Sequence, residues 1–275
     1  MTAAEKLLQA ELPPRPTILS SLTEQMHSED PDLRRVSELV SADVGLASAV
    51  VKTVNSPYFG LGRQVASVQQ AVTFLGLAEV FGIVSGALLR RSFPSKDPLM
   101  ERLWDEAALR GALMSRLARA LRALAADRAY TCGLFENCGM ALLLLHAQGY
   151  RELLLQSAYS AGLPELERSR YGLDHGALGQ ALVRTWGLPD ELALAVRHHH
   201  VLAELDGHDV PWTTRQLVAL SVMANEVLAR QSGGSTGTWL EDAPHAARVL
   251  NLSESEMEQE LGAVAATLSD PVNHQ

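Results

Sequence analysis

The sequence predicts an all-α protein, and three observations support this fold class. Leucine and alanine are abundant while aromatic residues make up only 5% of the chain, a balance that favours helix over strand. Apolar residues recur at helical spacing, as at Ala47, Val50, Val51 and Val54. No segment alternates apolar and polar residues with the two-residue period of a strand.

Residues that typically start helices divide the first hundred positions into successive helices. The predicted starts are, in chain order, Thr17, Asp30 with Pro31, Asp43, and Ser67 with Gln70. Ser67 and Gln70 have the spacing of a capping box, in which each side chain bonds the other residue's backbone. Gly76 permits a bend or a break soon afterwards.

Segment 91–98 contains Ser, Pro, Lys and Asp and is the predicted internal boundary. We therefore predict an N-terminal helical lobe over 1–95 and a C-terminal lobe over 96–275. Within the C-terminal lobe a long helix is predicted over 100–125, and 231–237 is predicted to be a loop. Further predicted helix starts are Asp174, Pro189, Thr213 with Gln216, and Ser253 with Glu256.

Charge and composition exclude several function classes. The formal net charge is −9 and lysines and arginines form no stripe, so direct nucleic-acid binding is not expected, although a small nucleotide could use a local basic pocket. The sequence has no leader pattern and no apolar run long enough to span a bilayer, so we expect a cytoplasmic protein without a membrane partner. Cys132 and Cys138 are then reduced thiols, at a spacing unsuited to a metal pair.

Three segments carry residues suited to chemistry. They are Gly-Leu-Phe-Glu-Asn-Cys-Gly at 133–139, Asp-His-Gly-Ala-Leu-Gly at 174–179, and Arg-His-His-His at 197–200. Their order and spacing resemble the HD hydrolase superfamily, in which histidines and aspartates from several helices converge on one or two metals. The Gly-Tyr-Pro signature of the related HD-GYP phosphodiesterases is not found after the histidines.

The resemblance assigns remnant metal-site positions to this sequence. These positions hold Glu106, Glu136, Asn137, His175, His199 and Asn225. His175 and His199 match the family's residues, with His200 beside the latter. Glu136 and Asn137 replace the paired His and Asp, Glu106 stands for the upstream His and Asn225 for the closing Asp. Met140 replaces the lysine.

The N-terminal part resembles one subfamily, the HDOD domain, through the proline-rich segment 12–16, Asp43, the Asn-Ser-Pro-Tyr-Phe-Gly run at 55–60, and segment 67–76. The resemblance covers about 10–230. It implies an HD-domain-like helical bundle with an additional N-terminal helical lobe, forming one module overall. It also implies an output domain of bacterial signal transduction that acts through protein partners and usually lacks the hydrolase ligands.

The substitutions predict a chain that is not an enzyme. Asn137 and Asn225 keep a carbonyl oxygen but lose the charge that would offset a metal cation, and no base remains to activate water. We therefore expect no catalytic residues, no cofactor and no metal; a metal, if present, would lie at His175 and His199. The alternatives are a metal-dependent phosphohydrolase with an atypical ligand set and a regulator that binds no ligand.

Each candidate residue also has an ordinary structural role open to it. The histidines at 198–200 lie at a predicted helix C-terminus, where such side chains favour the helix dipole. His175 could make a structural hydrogen bond, and Glu136 could be a solvated carboxylate. The residues that could instead contact a ligand or partner are His200, Asn55, Tyr58 and Phe59, among which Asn55 could simply stop a helix.

Overall fold

The computed structural model describes residues 12–56, 59, 63–157, 162–202, 205 and 209–269, and they contain helices and no strand. The all-α fold class is thereby confirmed. The helices are α1 (Thr17–Met26), α2 (Leu33–Ser41), α3 (Val44–Val54), α4 (Val68–Leu75), α5 (Leu77–Ser92), α6 (Pro98–Leu121), α7 (Ala126–Phe135), α8 (Cys138–His146), α9 (Tyr150–Ser157), α10 (Leu163–Tyr171), α11 (His175–Thr185), α12 (Asp190–His198), α13 (Trp212–Gln231), α14 (Trp239–Leu250) and α15 (Glu254–Ser269).

The N-terminal helix starts follow the prediction with one exception. The Asp43 carboxylate accepts hydrogen bonds from the backbone of α3, and Ser67 caps α4. The predicted start at Asp30 is wrong, because α2 is capped two residues later by Asp32, whose carboxylate accepts from the Arg35 backbone N–H at 2.9 Å. Gly76 separates α4 from α5 with a φ of 86°, a conformation that glycine adopts without strain.

Among the helix starts in the C-terminal part of the chain, one prediction is wrong. Asp97 caps α6, Asp174 caps α11, and the Ser253 and Glu256 side chains form the predicted reciprocal box at α15. The predicted box at Thr213 and Gln216 is wrong. Helix α13 already begins at Trp212, and the Gln216 amide instead donates to the Ala123 carbonyl at 2.8 Å.

Packing brings the later helices around one site. Helices α6 and α7 pack along each other, α7 also lies on α5, and α13 covers α6 and α12. Helix α11 is held between α8 and α12. Buried apolar side chains form a single cluster that runs from Leu19 in α1 to Val264 in α15, so the core continues across the predicted boundary at residue 95. No helix of the described residues is long and apolar enough to cross a membrane.

The proline-rich segment 12–16 lies against the turn that ends α11. The Arg15 guanidinium is so close to Gly187 that a β-carbon there would come within 2.7 Å of Nη1. Arg15 also donates from Nη2 to Thr23 Oγ1 at 2.6 Å, which ties the segment to α1. The start of the described chain is thus fixed to both the first helices and the helix pair that carries the histidines.

Candidate functional site

Three histidines, His175, His199 and His200, meet where α11 begins and α12 ends. The Nε2 atom of His175 lies 3.2 Å from Nε2 of His199 and 2.9 Å from Nε2 of His200. We call these three residues the histidine cluster. His175 and His199 are buried, whereas His200 is an exposed residue whose ring is edge-on to that of His175 and tilted against that of His199. Since adjacent residues 199 and 200 both reach His175, the turn after α12 must present two rings to one point.

The ring of His175 is oriented by a buried carboxylate. Glu167 in α10 accepts hydrogen bonds at Oε2 from the His175 backbone N–H at 2.8 Å and lies 2.7 Å from His175 Nδ1. Its other oxygen accepts from the Tyr150 hydroxyl at 2.6 Å. The carboxylate accepts a hydrogen bond from Nδ1–H, so Nε2 is directed toward the other histidines. The expectation of a hydrogen bond from His175 agrees with this arrangement, but its partner was not foreseen.

His199 is oriented by its own helix. Its Nδ1 lies 2.8 Å from the Val196 carbonyl oxygen, which can only accept, so Nδ1 carries the proton and Nε2 a lone pair. Burial, together with the nearby His175, Arg110 and Arg197, holds the pKa of His199 well below its ordinary value. His199 is therefore a neutral imidazole with its lone pair facing Nε2 of His175.

Close helix packing sets the distance between these elements. A β-carbon added to Gly139 in α8 would come within 1.9 Å of the His175 carbonyl oxygen. On the other side of His175, a β-carbon at Gly176 would approach the Arg197 carbonyl oxygen to 2.9 Å. Both glycines therefore permit backbone approaches that place the first turn of α11 between α8 and α12.

A second buried group lies on α6, α13 and the junction of α7 with α8. Arg110 Nε donates to Asn225 Oδ1 at 2.8 Å and lies 3.3 Å from Glu136 Oε1. Glu136 also accepts from Ser221 Oγ at 2.5 Å and from Asn225 Nδ2 at 3.0 Å. We call Arg110, Glu136, Ser221 and Asn225 the arginine–glutamate cluster. The interpretation of Glu136 as a solvated carboxylate is wrong, because its side chain is 1% exposed and paired with Arg110.

Two buried polar atoms near this cluster have no hydrogen-bond partner in the described part of the chain. They are Nη1 of Arg110 and Oδ1 of Asn137, one donor and one acceptor. Burying such an atom unpaired costs about 1–3 kcal/mol. Each of these atoms is therefore a position at which a bound water or a small ligand would be stabilised.

The structure does not bring Glu106 to the site. Its carboxylate turns back along α6 to Arg102 Nε at 2.7 Å, and it lines an open groove on that helix. Arg110, one helical turn further on, reaches Glu136 and Asn225 instead. The expected set of six is therefore divided, with His175 and His199 in one cluster, Glu136 and Asn225 in the other, Asn137 beside them and Glu106 outside.

Of the other residues proposed to contact a ligand or a partner, Asn55 and Phe59 lie in the described chain and make different contacts. Asn55 fixes a turn, because its amide donates to the carbonyls of Val51 and Val65 and its oxygen accepts from the Val65 N–H at 2.8 Å. This is the helix-stop role. The half-buried Phe59 ring packs against Tyr130 at 5.7 Å between centroids. Tyr58 lies outside the described residues.

Sequence reasoning missed four functional candidates: Tyr150, Glu167, Arg110 and Ser221. Glu167 and Tyr150 precede His175 by eight and twenty-five positions and match no motif. Arg110 could have been found from Glu106, since residues four apart lie on one helix face. Ser221 stands four residues before Asn225 in α13, so the same rule applies to it.

The donor atoms of the histidine cluster fit a transition-metal cation, whereas those of the other cluster do not. Three imidazole nitrogens within 4.8 Å of one another are a common ligand set for zinc and related metals. In the arginine–glutamate cluster a guanidinium already neutralises the one carboxylate. The arrangement can hold one cation at the histidines, with Glu167 supporting His175 from behind.

Comparisons with known proteins give the family and the fold. The model of the HDOD domain matches residues 12–202. An uncharacterized protein of Treponema pallidum is 27% identical over 94% of this chain, which spans about half (49%) of that relative's length.

Three solved structures are similar in fold. An HDOD domain protein of unknown function from Geobacter sulfurreducens has a TM-score of 0.76 and 21% identity, over 97% of this chain and 93% of that one. A protein from Shewanella amazonensis, provisionally named a phosphohydrolase, has a TM-score of 0.73 and 18% identity, over 97% and 98% of the two chains.

The third structure is a protein from Marinobacter aquaeolei, provisionally named a signal transduction protein, with a TM-score of 0.70 and 24% identity. The match covers 98% of this chain and 62% of that one. These likenesses agree with the HD-domain-like helical architecture, and the family match covers well over half of the sequence. The chain belongs to the HDOD family.

Proposed function

We propose that this chain is a non-catalytic module of signal transduction that acts through protein partners. The observation that supports the proposal most directly is the Arg110–Glu136 ion pair, whose side chains are 7% and 1% exposed. In a metal hydrolase of this fold the corresponding region would supply ligands to a cation. Here the Arg110 guanidinium pairs with the Glu136 carboxylate, so that carboxylate is already engaged with a positive charge.

Hydrolysis needs a water that is both bound to a metal and deprotonated by a base. The Glu136 carboxylate accepts hydrogen bonds from Ser221 and Asn225 and pairs with Arg110. Both of its oxygens are therefore engaged with side chains of the described chain. A carboxylate so engaged offers no unengaged oxygen to a water, which supports a module without catalysis.

The signalling role rests on the family. The name given to the Marinobacter aquaeolei structure refers to signal transduction, and that chain is longer than this one. A module that transmits a signal by contact needs no turnover. Within the proposal, a small nucleotide is a further candidate ligand, since Arg110 Nη1 has no hydrogen-bond partner in the described chain and guanidinium groups donate well to phosphate oxygens.

The proposal is tested by assaying the purified chain on cyclic dinucleotides and on a simple phosphodiester with added manganese, iron or zinc. We expect no turnover. Turnover that disappears in His199→Ala would instead favour the alternative, a metal-dependent phosphohydrolase with an atypical ligand set. The observation behind that alternative is the convergence of three imidazoles.

Binding of a protein partner is tested separately, by crosslinking of the tagged full chain followed by mass spectrometry. We expect one specific protein that is lost when Tyr58 and Phe59 are replaced by alanine. Trp212→Ala is the matched control, since Trp212 is an aromatic residue that is 54% exposed elsewhere on the chain. A crosslinking profile without any reproducible protein would contradict the proposed mode of action.

A further inference from the structure

The Nε2 atoms of the histidine cluster face each other in a way that ordinary hydrogen bonding does not satisfy. His199 holds its Nδ1 proton toward the Val196 carbonyl, and His175 holds its own toward Glu167. Neutral rings with those tautomers have lone pairs at both Nε2 atoms, which lie only 3.2 Å apart. An electrophile, either a proton or a metal cation, is needed between them.

The spacing lies within about 0.5 Å of what a cation shared by all three rings requires. Nitrogens bound to zinc at 2.0–2.1 Å in tetrahedral geometry are separated by about 3.3–3.4 Å. The observed separations from His175 are 3.2 Å to His199 and 2.9 Å to His200. One proton can join only two of the three nitrogens, whereas one cation can accept all three lone pairs.

One carboxylate beside the cluster has no lysine or arginine partner in the described chain. Glu167 is fully buried, and its hydrogen-bond donors there are the Tyr150 hydroxyl and the peptide N–H and imidazole of His175. The other carboxylate close by, Asp174, is already paired with Arg168 and Arg197. Carboxylate–histidine–metal arrangements orient the ligand and raise its basicity, which is the relation of Glu167 to His175.

We propose that His175, His199 and His200 bind one divalent transition-metal cation of the zinc class, with Glu167 as the positioning residue behind His175. Imidazole ligands select this class over magnesium and calcium, which prefer oxygen. The arginine–glutamate cluster excludes a second cation from the neighbouring half of the site. The bound ion joins the start of α11 to the turn after α12 and carries out no turnover. This departs from the expectation that no metal binds.

The test is zinc titration of the chelator-treated full chain by calorimetry in competition with a chromogenic chelator. We expect one ion per chain and an affinity that falls about 100-fold or more in His199→Ala and His200→Ala. Glu167→Gln should lower it about 10–100-fold and alter the visible spectrum of bound Co²⁺, because the charge that orients His175 is lost. Substitution of the exposed His27, which bonds only its own helix at Thr23 O in the described chain, should change nothing.

Binding of two ions, or equal affinity in wild type and His200→Ala, would overturn the proposal. His200 is exposed, so its variant remains informative even if removal of the buried His199 unfolds the protein. The zinc titration and the activity assay distinguish failure of the metal site from failure of the proposed function. A chain that binds zinc and also hydrolyses phosphodiesters retains the site and loses the proposed function, while a chain with neither activity nor metal loses only the site.

Discussion

The indole Nε1 of Trp186 donates a hydrogen bond to the carbonyl oxygen of Pro13 at 3.1 Å, across a sequence separation of 173 residues. Trp186 is fully buried and its ring also packs edge-on against Phe135 at 5.6 Å. This contact joins the proline-rich segment to the end of α11. The first described residues are therefore held directly at the end of the helix that carries His175.

Trp186→Phe should lower the free energy of unfolding by about 1–3 kcal/mol, because it leaves a buried carbonyl without its donor and creates a small void. Urea unfolding followed by circular dichroism measures the change. Trp212→Phe is the control, since that exposed ring should cost less than about 0.5 kcal/mol. Equal losses in the two variants would mean that the bond to Pro13 contributes nothing.

Gly139→Ala should destabilise the protein by about 3 kcal/mol or more. The new methyl group would overlap the His175 backbone oxygen, which lies in a rigid first turn and cannot move aside cheaply. Gly262→Ala in α15 is the matched control, because nothing lies within 4 Å of its added carbon. That variant should gain about 0.5–1 kcal/mol from helix propensity. Thermal unfolding compares both, and a harmless Gly139→Ala would contradict the close crossing of α8 and α11.

Arg110→Met should cost about 3–5 kcal/mol, because it leaves the Glu136 carboxylate buried without a cation. The double variant Arg110→Met with Glu136→Gln should recover part of that loss, since it removes the orphaned charge. A double-mutant cycle on the free energies of unfolding measures the coupling. Strictly additive losses would show that the two side chains do not interact.

Neither thiol should react in the folded protein. Cys132 and Cys138 are buried, and burial raises the pKa of both thiols well above the usual range, so the reactive thiolate is scarce at neutral pH. A chromogenic disulfide reagent should therefore detect no thiol under native conditions and two in denaturant. Fast labelling of the native chain would contradict the burial of α7 and α8.

Asp97 should contribute stability that depends on pH. Its carboxylate bonds Arg151 and the Leu99 backbone N–H, and these contacts lower its pKa below the ordinary value of 3.8. A lowered folded-state pKa gives stability that is present above the unfolded value and is lost as pH falls through the folded one. Asp97→Ala should cost about 1 kcal/mol at pH 7 through the lost helix cap, and the difference should shrink below pH of about 4. A cost that does not change with pH would exclude the charge as its cause.

Local signals predicted much of the fold. Asp43, Ser67, Asp174 and Ser253 cap helices through atoms within four residues of themselves, so the information is contained in a short window. The failure at Asp30 also has a local cause, because Asp30 and Asp32 flank the same proline and either could cap, and Asp32 does so. The failure at Thr213 does not, because the Gln216 amide donates to the Ala123 carbonyl 93 residues away.

Only part of the candidate site could be predicted from the sequence. His175 and His199 were placed by their motifs, but Arg110 meets Asn225 across 115 residues and Glu136 meets Ser221 across 85, and no pattern along the chain encodes such a meeting. Glu106 was chosen because the spacing of related enzymes pointed to it. In the structure the α6 residue that meets Glu136 and Asn225 is Arg110, which lies one helical turn later and has the opposite charge.

The guanidinium of Arg110 has a consequence for how this lineage can change. While Arg110 remains, an aspartate at 225 would remove the hydrogen bond from Asn225 Nδ2 to Glu136, and a histidine at 136 would leave the buried guanidinium without its carboxylate. Removing Arg110 first would leave the buried Glu136 carboxylate without its positive partner. The side chains of this network are therefore coupled, so a substitution at one of them costs stability unless its partners change with it, and sequence change at these positions is expected to be concerted.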